Sequence, residues 1–233
     1  MDNSNTPNKR MTWFGNIGLW ATILLMVLFA ILSSEFSAKK FNTTNKGMTL
    51  KRRFGHIGIW ATVFLVVFLI GSYTSLSDEE SKELLTALAQ ATANIGDGDP
   101  IFIAKHNISV SIFQFIPGFG FVLGAMSALM TGTVISAISM EINIIQPWMG
   151  ILLFLTPVGI LELSAYALAM SRSWLWTVML IKHRTKANIK SMIKPTIIEI
   201  CILLTLLVIG GYVESWMIAE YGSVSLDLLD KYR

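Results

Sequence analysis

Long apolar blocks alternate with compact polar segments along this chain. Residues 1–13 form a polar tail, and residues 14–34 form the first apolar block. At 1.5 Å per residue, 21 helical residues cover roughly 31 Å, the thickness of a hydrocarbon core. A second apolar block covers 54–75, after a polar loop at 35–53. Residues 78–93 are acidic and helix-prone, with Ser77 as the cap and Glu80 three residues on, the pattern of a capping box. The segment stops at Gly96-Asp97-Gly98-Asp99-Pro100. From 101 to 140 the chain is apolar but punctuated by Pro117, Gly118, Gly120 and Gly124. A further span at 148–170 contains Pro157 and Gly159. The last covers 195–217, with Pro195 suited to a first helical turn, and residues 218–233 are a polar tail. The pattern predicts an all-α, polytopic transmembrane bundle with short or re-entrant helices.

Composition agrees. Charged residues make up 14% of the chain, where a soluble domain carries about 25%. The hydrophobic set reaches 53%, and mean hydropathy is +0.60. The net charge of +3 is not a nucleic-acid signal, because the basic residues cluster beside apolar blocks, where topology determinants lie. The lone Cys201 makes no internal disulfide, and no Cys/His spacing suggests a metal site. No phosphate loop or hydrolase motif occurs, so neither catalytic residue nor cofactor is assigned.

The first two blocks are near copies. FGNIGLWAT at 14–22 and FGHIGIWAT at 54–62 agree at seven of nine positions. A tandem duplication of one anchoring helix accounts for this. A sharper reading gives Gly15, Gly18, Gly55 and Gly58 a role in close packing of the two copies, as small residues have in membranes. Met48 offers an alternative start, which would leave out the first copy.

Short loops rich in Lys and Arg stay cytoplasmic. The 35–53 loop carries six such residues, and so does 171–194, read as a basic amphipathic cytoplasmic helix. Segment 76–106 has six acidic residues and only Lys82 and Lys105, which places it outside. This arrangement requires 107–140 to be two short spans or a re-entrant hairpin turning near Gly118–Gly124. One crossing there would carry 171–194 to the wrong side. Within the basic segment, Lys182, Arg184, Lys186, Lys190 and Lys194 are expected to contact anionic lipid or a cytoplasmic partner.

Buried polar positions inside the spans are the candidate functional residues. Glu162 lies mid-span, where a charge costs at least about 2.5–3.5 kcal/mol, so it must face the protein, pair or be protonated. Asn107, or backbone opened by Pro157 and Gly159, is the expected partner. Pro157 and Gly159 read as a kink, or as a discontinuous helix lining a binding site. Glu199 reads as an acid favoured by the N-terminal end of its helix, and Glu214 as interfacial. Trp148, Trp174, Trp176 and Trp216 suit an aromatic belt.

Several of these segments carry a family resemblance. A basic-flanked span ends in Gly71-Ser72-Tyr73, Ile101-Phe102 and Asn107 open the next, TPVGILELSAYALA follows at 156–169, and VESW closes the last span at 213–216. Over residues 54–217 the chain resembles the stage II sporulation protein M family. The family usually has His after the proline, where this chain has Val158, so the His–Glu pair at i and i+4 is absent here. The resemblance implies a multi-pass protein of the cell membrane that acts through other membrane or envelope proteins, in envelope remodelling or transport. A non-catalytic scaffold is the first expectation, with Glu162 and Glu214 marked by the family pattern. A small transporter or channel subunit, as a homo-oligomer or alone, is the second.

Overall fold

The computed structural model describes residues 50–93, 99–142, 146–182 and 186–231. These hold six α-helices: α1 (Leu50–Ser72), α2 (Asp78–Ala93), α3 (Pro100–Ile112), α4 (Gly120–Glu141), α5 (Pro157–Lys182) and α6 (Lys186–Lys231). Two 3-10 segments, Phe113–Phe115 and Pro147–Leu155, precede α4 and α5. No strand occurs among the described residues. The first repeat copy, with Gly15 and Gly18, lies outside them.

Among the described residues three helices are long and apolar enough to cross a membrane: α1, α4 and the Ile189–Glu220 part of α6. A fourth span results if the bent pair Pro147–Leu155 and Pro157–Ile181 counts as one. α1 shows how such a helix divides its surface. Trp60, Val63, Phe64, Val67, Phe68 and Gly71 recur at helical spacing and are buried. Phe54, on another face, is 69% exposed, as a side chain solvated by lipid would be.

α1 packs on α4 through small residues. An added Cβ at Gly71 would lie 2.3 Å from the Leu129 carbonyl oxygen, and one at Gly132 would lie 2.1 Å from that of Phe68. Gly124, Ala128, Gly132 and Ser136 repeat every fourth position along the buried face of α4. This is the small-residue packing that lets membrane helices bring their backbones together. α5 is the central helix. From Ala167 to Leu175 every residue is buried, and Ala165, Leu168 and Ala169 form a core with Phe115, Leu203 and Leu207.

The chain passes from end to end of the bundle repeatedly. α3 and its 3-10 turn cover about 26 Å, nearly a membrane thickness. The elbow that follows is fastened to α5: Gly118 N donates to Thr177 Oγ1 at 2.7 Å, and Ser173 Oγ donates to the Ile116 carbonyl at 2.6 Å. Gly118 has φ 81°, the left-handed region, and a Cβ at Gly120 would strike the Gln114 carbonyl oxygen at 1.9 Å. Pro100–Ile112 and Gly120–Glu141 are therefore two helical arms joined by a glycine elbow near Gly118, and of the two α4 is the one long and apolar enough to cross a membrane by itself. The elbow, the start of α1 and the α5–α6 junction share one end. At the other end, Ser136 Oγ donates to the Thr74 carbonyl at 2.7 Å, and Gly211 lies against Pro100 and Ala104. α2 extends from that second end, fixed by Ser81 Oγ to the Ala137 carbonyl at 3.2 Å. Its capping box forms as expected, with Ser77 N donating to Glu80 at 2.7 Å.

Three expectations are corrected. The basic stretch 171–194 is not a helix of its own, because 171–182 closes α5 and 186–194 opens α6. Trp174, Leu175, Val178 and Met179 are buried, and that apolar face holds the segment in the bundle instead of on a membrane surface. Pro195 lies inside α6, not in its first turn, because the helix-forming residues before it extend the helix back to Lys186. Trp174 is no belt residue: its ring packs on Trp60 and Phe121, with centroids 6.0 and 5.4 Å away.

The glycines separate cleanly in a test. Gly71→Ala should destabilise the bundle, because the new methyl meets backbone. Gly55→Ala should raise stability by up to about 1 kcal/mol, the helix propensity gain, since nothing lies within 4 Å of it. Thermal unfolding of the detergent-solubilised variants reads both signs.

Candidate functional site

Two polar centres lie inside the bundle. The first joins α1, α5 and α6. Arg53 Nε and Nη2 donate to Glu199 Oε1 and Oε2, each at 2.6 Å. Arg172 Nε donates to Glu199 Oε2 at 2.7 Å, and its Nη2 donates to Oε1. One carboxylate is thus gripped by two guanidinium forks. Arg53 also donates to Ser171 Oγ at 2.5 Å and to the Leu168 carbonyl at 3.3 Å. All three charged residues are at most 9% exposed.

The sequence points to neither arginine. Arg53 counts there as a loop charge and Arg172 as part of a basic surface. A usable signal existed: Arg172 lies between Ser171 and Ser173 in a long apolar run, distant from the lysines that follow. Glu199 does not depend on a helix N-terminus either, since α6 begins well upstream of it. Arginine pairing meets the cost of its burial.

The second centre joins α3, α5 and α6. Asn107 Nδ2 donates to Glu162 Oε1 at 2.6 Å, the first of the two partnerships that the sequence offers. Glu214 is close enough to act electrostatically on Glu162, and His106 acts on Glu214 in turn. No salt bridge reaches Glu162 or Glu214 among the described residues. Both are half-buried. The two centres differ in chemistry. Glu199 is saturated and anchored. Glu162 has one neutral donor, and it can take up a proton or a cationic group.

The break before α5 positions Glu162. The 3-10 segment meets α5 at 89°. Thr156 caps the helix, its Oγ1 accepting from Gly159 N at 3.1 Å, and Pro157 fills the first helical position, where no N–H is needed. A Cβ at Gly159 would lie 2.0 Å from the Leu153 carbonyl oxygen, so glycine permits the sharp turn. Pro157 and Gly159 therefore mark a break between a 3-10 segment and α5, and not a bend within one helix.

The remaining candidates are scattered. Gly55 and Gly58 have nothing within 4 Å of an added Cβ, and the copy expected to pack on them is outside the described residues. Lys182 ends α5 and Lys186 begins α6, while Arg184 falls outside the described residues. Lys190 and Lys194 are exposed. Trp148 and Trp216 are exposed, as belt residues are, and Trp176 donates from Nε1 to Thr196 Oγ1 at 2.8 Å. Among the described residues no group of three or more His, Cys, Asp or Glu could hold a metal ion.

The model of the stage II sporulation protein M family matches residues 60–217, well over half of the chain. The chain belongs to that family. The match covers α5, α6 as far as residue 217 and both members of the Asn107–Glu162 pair, and it begins seven residues after Arg53. Among curated proteins and among solved structures, none matches the chain.

The arginine–glutamate centre makes a strong stability prediction. Glu199→Gln leaves two buried guanidiniums without a counter-charge and should cost about 3–5 kcal/mol. Replacing all three residues by apolar ones of similar volume should recover most of that loss. Thermal unfolding in detergent compares the two variants, and Glu199→Gln should be the less stable.

Proposed function

We propose that this membrane protein is a non-catalytic organiser of an envelope protein complex in the cell membrane. The observation that supports this reading best is α2. It is a charged helix carried outside the apolar bundle, fixed by its Ser81 bond to α4, with Glu79, Lys82 and Glu83 exposed along its length. A helix anchored through one face leaves its charged face open to solvent, where a partner can meet it. The bundle behind it is held rigid by glycine-mediated packing and by the arginine–glutamate centre. A rigid base with an exposed acidic arm suits a protein that orients others. The partner's complementary surface is basic.

A second reading has its own support. The two broken helices, with half-compensated Glu162 beside one of the breaks, are features of transporter binding sites. The readings part in experiment. In cells, charge reversal at Glu79 and Glu83 should reduce crosslinking of α2 to its envelope partner by tenfold or more in order of magnitude, with the bundle still folded. Glu162→Gln should leave the crosslink intact. In liposomes containing the purified protein, flux that depends on Glu162, together with an unchanged crosslink after charge reversal, would reject the organiser in favour of the transporter.

A further inference from the structure

The two near copies pose a choice, because the motif they share cannot tell one from the other. In the bundle, α1 comes from the second copy. Phe54, Gly55, Gly58 and Thr62, four of the seven shared residues, are exposed. An added Cβ at Gly55 or Gly58 meets nothing within 4 Å. Trp60 does enter the core, where it packs on Phe121 and Trp174, but the first copy has the same residue at Trp20. Whatever selects α1 therefore lies outside the motif.

The same 40-residue offset aligns the whole of α1 with residues 10–32, and its bundle contacts are lost on the way. Trp13 corresponds to Arg53, which shares Glu199 with Arg172 and donates to Ser171 and the Leu168 carbonyl. Arg10 is no substitute. It corresponds to Leu50, which is 77% exposed and about 4.5 Å further out along α1. Ile31 corresponds to Gly71, where even a Cβ would lie 2.3 Å from the Leu129 carbonyl oxygen. Leu24 and Leu28 correspond to Phe64 and Phe68, whose rings meet that of Phe154 with centroids 5.7 and 4.9 Å away. The first and third of these differences are the severe ones. A tryptophan at 53 leaves the buried Glu199 with one arginine out of two, and an isoleucine at 71 collides with backbone. The two positions lie 18 residues apart, about 27 Å, so α1 is checked by charge at one end and by shape at the other.

We propose that Arg53 and Gly71 determine which of the two near copies forms the first helix of the bundle. With Trp13 and Ile31 in their places, the first copy is kept from the position of α1, both in its own chain and in a second copy of the chain. Discrimination between near-identical segments requires penalties against the wrong one, and here one penalty is electrostatic and the other steric. Two similar helices in one chain otherwise invite exchange of the element between chains, as in domain swapping. The position of α1 has a single eligible occupant per chain.

The full-length protein tests this with photoreactive benzoylphenylalanine in place of Phe121, whose ring centroid lies 5.7 Å from that of Trp60. Trypsin cuts between the copies, at Lys39, Lys40 and Lys46, so mass spectrometry assigns each crosslink to one of them. With both copies unaltered the products should fall on α1, with about one in a hundred or fewer on the first copy. Trp13→Arg combined with Ile31→Gly gives the first copy both anchors, and it should raise that share about tenfold or more. Asn16→His combined with Leu19→Ile makes the two motifs identical but restores neither anchor, and it should leave the share unchanged. Neither variant changes a residue of the bundle, so both keep its fold. Three results would overturn the proposal: comparable crosslinking to both unaltered copies, an unchanged share once both anchors are supplied, or an equal rise from completing the motif.

Discussion

A carboxylate inside a hydrocarbon layer has no water to solvate it, and the protein must supply the counter-charge. At Glu199 it supplies two. The arginines come from the start of α1 and the later part of α5, elements far apart in sequence, and they converge on α6. This convergence fixes the topology of the bundle. The start of α1 and the α5–α6 junction must share one end, so the chain between them crosses an even number of times. With α1 and α5 each making one pass of the bundle, the stretch between them makes an even number, and α3 and α4, joined by the elbow, supply two. The glycine elbow at 116–120 is what makes those two passes fit.

A second constraint acts on the backbone. Non-helical segments at membrane depth survive only where protein satisfies their polar groups. Both breaks meet this condition locally. At the elbow, Thr177 and Ser173 of α5 take up Gly118 N and the Ile116 carbonyl. At the other break, Thr156 bonds to Gly159 N and Pro157 has no N–H to satisfy. Each break also relies on a glycine whose Cβ would collide with a preceding carbonyl, Gly120 in one case and Gly159 in the other. The same small side chain thus allows both sharp turns and, at Gly71 and Gly132, the backbone contact of α1 with α4.

The charge asymmetry of the loops made the paired passes readable from the sequence alone, and the Ser77–Glu80 spacing made the start of α2 readable. The Asn107–Glu162 contact was legible too, because an uncompensated acid in an apolar span leaves few partners to choose from. Arg53 and Arg172 were not legible as buried residues. Loop statistics treat every basic residue as a topology marker, and a guanidinium inside the bundle looks the same in sequence as one in water. Similarly, the repeat drew attention to Gly55 and Gly58, while the glycines in backbone contact, Gly71 and Gly132, fall in no repeat. Periodicity shows which face a residue shares, but not which neighbour lies across from it.

The two acidic centres differ in a way that bears on function. Glu199 accepts four charge-assisted bonds from two arginines, and its protein partners leave it little to offer. Glu162 has a single amide donor and a second carboxylate, Glu214, close by. Stability alone would favour replacing such a pair with apolar side chains. One turn before Glu162 stands Val158, which offers the acid no polar partner on its own helix. Its polar neighbours Asn107 and Glu214 therefore come from α3 and α6, and not from its own helix. Movement of α3 or α6 against α5 would change its surroundings directly. Glu162 is held across the helices by one amide bond, whereas Glu199 is held by four charge-assisted bonds.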